Sequence, residues 1–498
     1  MAAVIAIDAG TTGVRALAVD DAGTVTHRSY VEIRQHYPRP GWVEHDADEI
    51  RQAVIRTLTE VAEAAGRPAA IGLTNQRETV VAWDRRSGRP LHRALVWQDR
   101  RTAARCQVLG EAGHLPLVRQ RTGLVLDPYF SATKMEWLLT EGGVEANADL
   151  AVGTVDSWVV WNLTGGPEGG ALVTDPSNAS RTLLYDIAER RWDDELLDLF
   201  GVPRAALAEV VPSSGRLGTV APGVVPGLDG VPVAGVAGDQ QAALFGQACF
   251  EPGMAKNTYG TGSFVLMNVG AECPAPLEGL LTSVAWDLGG GTDRVAYALE
   301  GAVFITGAAI QWLRDGLGLI GEAAEVGPLA ESITDTEGVY FVPALAGLGS
   351  PWWDPRARGV IVGITRGSGR GHLARAVVEA MAFQTRDVVD AMVATSGREV
   401  VGMRVDGGVS VMDVLLQVQA DQLQAPVARP AQTETTAVGA AWLAGLAEGV
   451  WSSLDELAGL WQPGATFEPR VSRGGADTRH AGWLRAVERA RGWARAEP

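Results

Sequence analysis

The segment AVIAIDAGTTGVRALAVD, Ala3 to Asp20, sets an apolar strand (AVIAID), a turn of glycine and hydroxyl residues and a second, alternating strand (VRALAVD) in immediate succession. GTVTHRSYVEI continues as a third strand, so the chain opens as a β-meander. HDADEIRQAVIRTLTEVAEAAG then reads as a helix. Asp46 is its expected N-cap, Glu49 a capping-box partner, Ile50, Val54, Leu58 and Val61 one apolar face, and Gly66 the stop. Strand character returns in AAIGLTNQRETVVAWD, and strand-like and helix-like segments alternate to about Leu244. A second β-rich start follows in GMAKNTYGTGSFVLMNVG, LLTSVAWDL and RVAYALEG, succeeded by expected helices over Ala308–Leu317, His372–Ala394, Val411–Gln424 and Thr435–Gly449. A meander followed by alternation, twice over, predicts a duplicated α/β domain with its boundary near Gln247.

A chain of 498 residues exceeds the size at which one core stops growing, which agrees with two domains of roughly 250 residues. With 46% hydrophobic and 20% charged residues the composition is that of a globular enzyme, not a disordered chain. The 59 acidic against 42 basic residues, a formal charge of −17, argue against nucleic-acid and anionic-membrane partners. A phosphate-bearing ligand therefore needs a locally favourable pocket. Cys106, Cys249 and Cys273 share no metal-like spacing, and their odd number argues against a disulfide framework, so a cytoplasmic location is expected. No leader or membrane anchor is legible at the N-terminus. Arginine supplies nearly all the positive charge, the only lysines being Lys134 and Lys256.

Three turns have phosphate chemistry. DAGTTGVR (Asp8–Arg15) puts a carboxylate at a strand end, then backbone N–H groups and hydroxyls that can cradle phosphate oxygens, with Asp8 suited to the water shell of Mg²⁺. NTYGTGS (Asn257–Ser263) and RVDGGVS (Arg404–Ser410) repeat the logic in the second half. No Walker A sequence, G-x-G-x-x-G after the first strand or nucleophile elbow is present. EHDADE gathers His45 with carboxylates but reads as a solvated helix start.

With these turns in hand, the chain resembles the FGGY carbohydrate kinases, and among them the glycerol-phosphorylating branch, along essentially its whole length. The motifs are PGWVEHD, TNQRET, VWQDRRT, TGLVLDPYFSATK, GTVDSW, GDQQAALFGQ, GMAKNTYGTGSF and YALEGAVF, with FGGY signature regions at Tyr129–Glu141 and Gly359–Glu379. The resemblance implies two actin-like, ribonuclease H-like α/β domains, residues 1–247 and 248–498, flanking a cleft for ATP and substrate. It implies ATP-dependent phosphorylation of glycerol to sn-glycerol 3-phosphate, with Mg²⁺, in a homodimer or homotetramer.

Position by position, the resemblance assigns glycerol hydroxyls to Arg77, Glu78, Tyr129 and Asp239 with Gln240 beside them, and the carbon backbone to Trp97 and Phe264. A triol needs charged and amide partners for its hydroxyls and an apolar slot for its carbons. Nucleotide contacts fall to Thr11, Thr12, Gly13, Arg15, Thr261, Gly307, Gln311, Gly408 and Met412, and the metal to Asp8. Asp239, which alone reads as a helix N-cap, is similar to the family's catalytic base. Departures are Ala9, Gly13 and Val14 in the first turn, where relatives often carry Gln and two serines, and Met412–Asp413 in place of an asparagine pair near the adenine. The loop before the Asp239 strand, Ala221–Gly235, has no Arg or Lys, so inhibition by fructose 1,6-bisphosphate, seen in some relatives, is not expected.

Overall fold

The computed structural model describes residues 3–494. The opening meander forms β1 (Val4–Ala9), β2 (Gly13–Val19) and β3 (Val25–Glu32), antiparallel in turn, with Asp8 opposite Arg15. Val4, Ile5, Ala6, Ile7 and Ala9 are all buried, so both faces of β1 are covered, as in a layered α/β sheet. One cover is α1 (Ala47–Ala65), which buries Ile50, Val54, Leu58 and Val61. Asp46 caps it by accepting from the N–H groups of Asp48 and Glu49 at 2.9 and 3.3 Å, and Gly66 ends it at φ 91°. The expected capping box does not form. Glu49 Oε1 accepts instead from the Arg34 N–H at 3.1 Å, because the chain leaving β3 brings that donor beside the helix start.

β4 (Ala70–Asn75) joins β1 in parallel, and β5 (Ser214–Thr219) and β6 (Pro232–Gly238) complete a six-stranded sheet in the order β5-β6-β4-β1-β2-β3. A second layer is built mostly between β4 and β5: helices such as Ser131–Thr140 and a five-stranded sheet of short strands, in which Val80–Asp84, Ala94–Leu95 and Leu150–Thr154 are joined by Gln35–His36 and Glu44–His45 from ahead of α1. β6 runs directly into α2 (Asp239–Gly246).

The second half repeats the plan with β7 (Met254–Tyr259), β8 (Ser263–Gly270), β9 (Leu281–Asp287) and β10 (Val295–Val303). Then come α3 (Gly307–Gln311), α4 (Arg370–Ser396), β11 (Gly402–Asp406), α5 (Asp413–Leu423), β12 (Val427–Pro430), α6 (Thr435–Ala447), β13 (Pro463–Phe467) and α7 (Arg473–Ala490). Its sheet order is β9-β10-β8-β7-β11-β12-β13. In both sheets the first strand is central, with antiparallel neighbours on one side and parallel ones on the other. The helix expected over Ala308–Leu317 is split: α3 passes into a π-helical turn, Trp312–Gly316. α7 is not announced by the sequence pattern, since most of its buried positions are alanine or glycine around a lone Trp483.

The two halves exchange helices at their joint. α2 follows β6 yet packs against β7, β8 and β9, and α6 follows β12 yet lies across β4, β6 and β1. The contact is backbone on backbone. A Cβ on Gly439 would stand 1.9 Å from the Ala242 carbonyl, one on Gly246 1.9 Å from that of Thr435, and one on Gly72 2.1 Å from that of Ala440. Among the described residues no helix is long and apolar enough to cross a membrane.

Candidate active site

The strand ends of the two halves meet in a cleft, and the charged residues expected to hold a polyol converge there. Arg77 and Glu78 follow β4 in a turn that holds Glu78 at φ 61°. The Arg77 guanidinium donates from Nη1 to Glu300 Oε2 at 2.7 Å and Gln241 Oε1 at 3.2 Å, and from Nη2 to Tyr129 Oη at 3.3 Å. Its Nε lies 3.3 Å from Asp239 Oδ1. Arg181 donates to Glu78 Oε1 at 2.6 Å and Glu300 Oε1 at 3.2 Å, and lies over the rings of Tyr129 and Phe130. Burial alone would raise the Glu300 carboxyl, but Arg181 and Arg77 outweigh it and hold it at about 2. Burial pushes Glu78 and Asp239 above the usual carboxylate range, against the pull of Arg181 and Arg77 respectively. The side chains of Glu78 and Glu300 are each 1% exposed, whereas that of Asp239 is 35% exposed. Asp239 is thus the most open carboxylate of the three.

Of the two aromatic residues expected around the carbons, Trp97 stands beside these groups. Trp97 packs edge-on to Tyr129 with ring centroids 5.6 Å apart, and its indole N–H donates to Thr11 Oγ1 at 2.9 Å. It therefore touches both the charged cluster and the first phosphate turn. Phe264, half-buried on β8, comes from the other half of the chain. Gln240 does not share the Arg77 network. Its side-chain oxygen accepts from Lys256 Nζ, while Gln241 reaches Arg77.

The nucleotide candidates separate into two groups. Thr261, Gly307, Gln311, Gly408 and Met412 line one cavity of about 670 Å³ beside α3 and the start of α5. Backbone comes close on its lining: a Cβ on Gly307 would lie 2.5 Å from the Gly260 carbonyl, and one on the neighbouring Gly407 2.2 Å from that of Tyr259. Thr11 and Thr12 form the β1–β2 turn, closed by the Gly10 N–H donating to the Gly13 carbonyl at 3.0 Å, and Gly13 and Arg15 follow at the start of β2. Arg15 is paired with Glu434, a residue just ahead of α6, so a phosphate there competes with that carboxylate. Of the departures here, Ala9 and Val14 are buried in the sheet, while a Cβ on Gly13 would need only the exposed Tyr30 ring to move aside. Burial, with Asp239 and Glu434 adding to it and Arg15 opposing, pushes Asp8 up to about 7.

Asp8 suits a hard divalent cation. No group of three or more His, Cys, Asp or Glu side chains among the described residues could hold a metal by itself. An ion at Asp8 would therefore take most of its shell from water and phosphate oxygens, the usual habit of Mg²⁺.

Glu300, Arg181, Gln241, Lys256 and Glu434 complete this site without having been assigned from sequence. Glu300 carries a readable signal, a lone charge inside the apolar strand VAYALEGAV. Arg181 closes the segment DPSNASR (Asp175–Arg181), a buried polar turn. Asp175 accepts from the Ser177 and Asn178 backbone and from Ser213 Oγ at 2.7 Å. Ser177 Oγ in turn accepts from the Gly238 N–H at 2.9 Å, and Asn178 exchanges amide hydrogen bonds with Asn75. The turn thereby clamps the residues just ahead of both Asp239 and Arg77.

The N-terminal domain model of the FGGY family of carbohydrate kinases matches residues 3–246, and its C-terminal domain model residues 255–448. The chain is 52% identical over 501 residues to a glycerol kinase of Bordetella parapertussis, covering 99% of this chain and 98% of that protein. It is 52% identical over 498 residues to glycerol kinase 2 of Thermotoga maritima, covering 98% and 99% respectively. A crystal structure of Plasmodium falciparum glycerol kinase with ADP superposes with a TM-score of 0.94 at 33% identity over 98% of each chain. Two domain models matched in order, and relatives half identical from end to end, place this chain in the FGGY family of carbohydrate kinases.

Proposed function

We propose that this kinase transfers the γ-phosphoryl group of ATP to a primary hydroxyl of glycerol, releasing sn-glycerol 3-phosphate and ADP. The observation that carries this reading is a solvent-open carboxylate, Asp239, set beside a buried Arg77–Glu300–Arg181 network, with glycine-hydroxyl turns in the same cleft. The full-length similarity to glycerol kinases supports the substrate. Asp239 accepts the hydroxyl proton as the hydroxyl oxygen bonds to the γ-phosphorus and the bond to the β-phosphate oxygen breaks. Burial raises its pKa, which makes it a better base than a solvated carboxylate. Arg77, Glu78, Tyr129 and Gln240 orient the other hydroxyls, and Trp97 and Phe264 enclose the carbons. The Thr11–Gly13 turn and Arg15 hold the transferring phosphate, and Thr261, Gly307, Gln311, Gly408 and Met412 hold the rest of the nucleotide. Asp8 would hold Mg²⁺, which neutralises phosphate charge when bound. The chain is taken to divide after Gln247, to act in the cytoplasm and to assemble as a homodimer or homotetramer.

A coupled assay of ADP release across glycerol, dihydroxyacetone, erythritol and xylulose tests the substrate. Glycerol is expected to give the highest kcat/KM, and a higher value for xylulose would overturn the reading.

A further inference from the structure

This chain carries two lysines, and both are fully buried at the site. Lys134 donates to the carbonyls of Pro128, Tyr129 and Phe130 at 2.7–2.9 Å, holding the turn that carries Tyr129. Lys256, on β7, donates to Gln240 Oε1 and to Thr258 Oγ1 at 2.9 Å, and among the described residues it has no carboxylate within ion-pair distance. A buried ammonium satisfied only by neutral oxygens is costly. Elsewhere in this chain arginine does the work of a cation, but its planar fork does not fit a place for a compact three-donor group. Burial lowers the Lys256 pKa, while Asp406 and Asp239 favour the ammonium.

An ammonium donates and cannot accept. It therefore decides which end of the Gln240 amide faces it: the oxygen is taken by Lys256, and the NH₂ is left over. That NH₂ has no acceptor among the described protein groups, and Gln240 is only half-buried beside Asp239. We propose that Lys256 is a positioning residue that fixes Gln240 as a hydrogen-bond donor to the oxygen on the central carbon of the substrate. The inference rests on the glycerol reading above. Its consequence is a polarity rule. A donor at that place accepts either a central hydroxyl or a central carbonyl, so the wild-type site takes dihydroxyacetone as well as glycerol. If the amide is free to turn its oxygen inward, a hydroxyl can still donate to it, but a carbonyl has nothing to donate.

The test uses Lys256→Met, which removes the ammonium, and Gln240→Glu, which keeps a partner for Lys256 but presents no N–H. For wild type and both variants, kcat and KM for glycerol and the competitive inhibition constant or KM for dihydroxyacetone are measured. The ratio of the dihydroxyacetone constant to the glycerol KM is expected to rise about threefold or more in each variant, as for one lost hydrogen bond. A smaller change in either soluble variant overturns the proposal, as does a wild type blind to dihydroxyacetone. Should Lys256→Met not fold, Gln240→Glu decides alone. A wild type that turns over no glycerol defeats the underlying reading instead, and is seen before any variant is made.

Discussion

The polyol side and the nucleotide side of the cleft are built from opposite materials. On the polyol side charged side chains are buried and used up on one another: Glu300 takes both Arg77 and Arg181, and Glu78 takes Arg181. On the nucleotide side the wall sets glycines and alanines, among them Gly260, Gly307, Ala323, Ala324, Gly327 and Gly408, between longer side chains such as Ile310, Gln311, Arg314 and Met412. A substrate made of hydroxyls needs donors and acceptors held in fixed directions before it arrives, and only a satisfied charge network holds them in a dry site. A nucleotide brings its own charge and area, so its site needs close backbone approach and room. Substitutions on the first side should therefore propagate through the network, whereas those on the second should change fit alone.

The largest expected break in this contrast is Glu300→Ala. It leaves two buried guanidiniums short of a carboxylate and should cost about 3–5 kcal/mol of stability, read by chemical denaturation. The same group predicts a pH effect. With the Glu300 carboxyl held at about 2, below its ordinary 4.5, its contribution is complete above pH 4.5 and is lost as the pH falls toward 2. The acid loss of stability should be shallower in Glu300→Gln than in wild type, and equal slopes would detach Glu300 from the network.

Asp239→Asn tests the chemistry placed on that network. Folding and glycerol binding should survive, while kcat falls at least about 10²-fold, the usual worth of a general base. Turnover within a few-fold of wild type would remove Asp239 from that role.

Trp97→Ala and Phe264→Ala sharpen the boundary between the sides. Each opens the carbon slot and should raise the glycerol KM by about tenfold while improving erythritol relative to glycerol. Trp97→Ala should also raise the KM for ATP, since it frees Thr11, and Phe264→Ala should not. Equal effects on ATP would mean that the indole hydrogen bond to Thr11 carries nothing.

The smallest effects belong to the nucleotide wall. Met412 lines the cavity and lies near Gly327, so it offers packing where an amide would offer a hydrogen bond. Met412→Asn should raise the preference for ATP over GTP by a few-fold, about what one hydrogen bond supplies. An unchanged ratio would take Met412 out of base recognition. Fructose 1,6-bisphosphate should leave the rate unchanged. Arg67, which the fold brings to the Ala221–Gly235 loop, is already spent on the Gly227 and Asp229 carbonyls at 3.0 and 2.6 Å. Clear inhibition in a steady-state assay would point to another basic site.

The sequence by itself determined the elements and the order in which they come. Strand-turn-strand at Ala3–Asp20, the α1 face and the second meander at Gly253 are local patterns, legible because apolar spacing and turn residues act within a few residues. It also marked the glycine turns, which lie in short motifs, and, through the resemblance to the FGGY kinases, Asp239 and Arg77. Only the tertiary structure decided what those residues touch. The exchange of α2 and α6 turns on glycines at positions 72, 246 and 439 meeting carbonyls far away in the chain, and no local pattern announces such an approach. Glu300 sits 223 positions from Arg77, and Glu434 419 positions from Arg15. A carboxylate in a strand states that it needs a partner, but which partner depends on how two sheets face each other across a cleft. That packing decides which charges are dry enough to matter, and it cannot be read from one strand at a time.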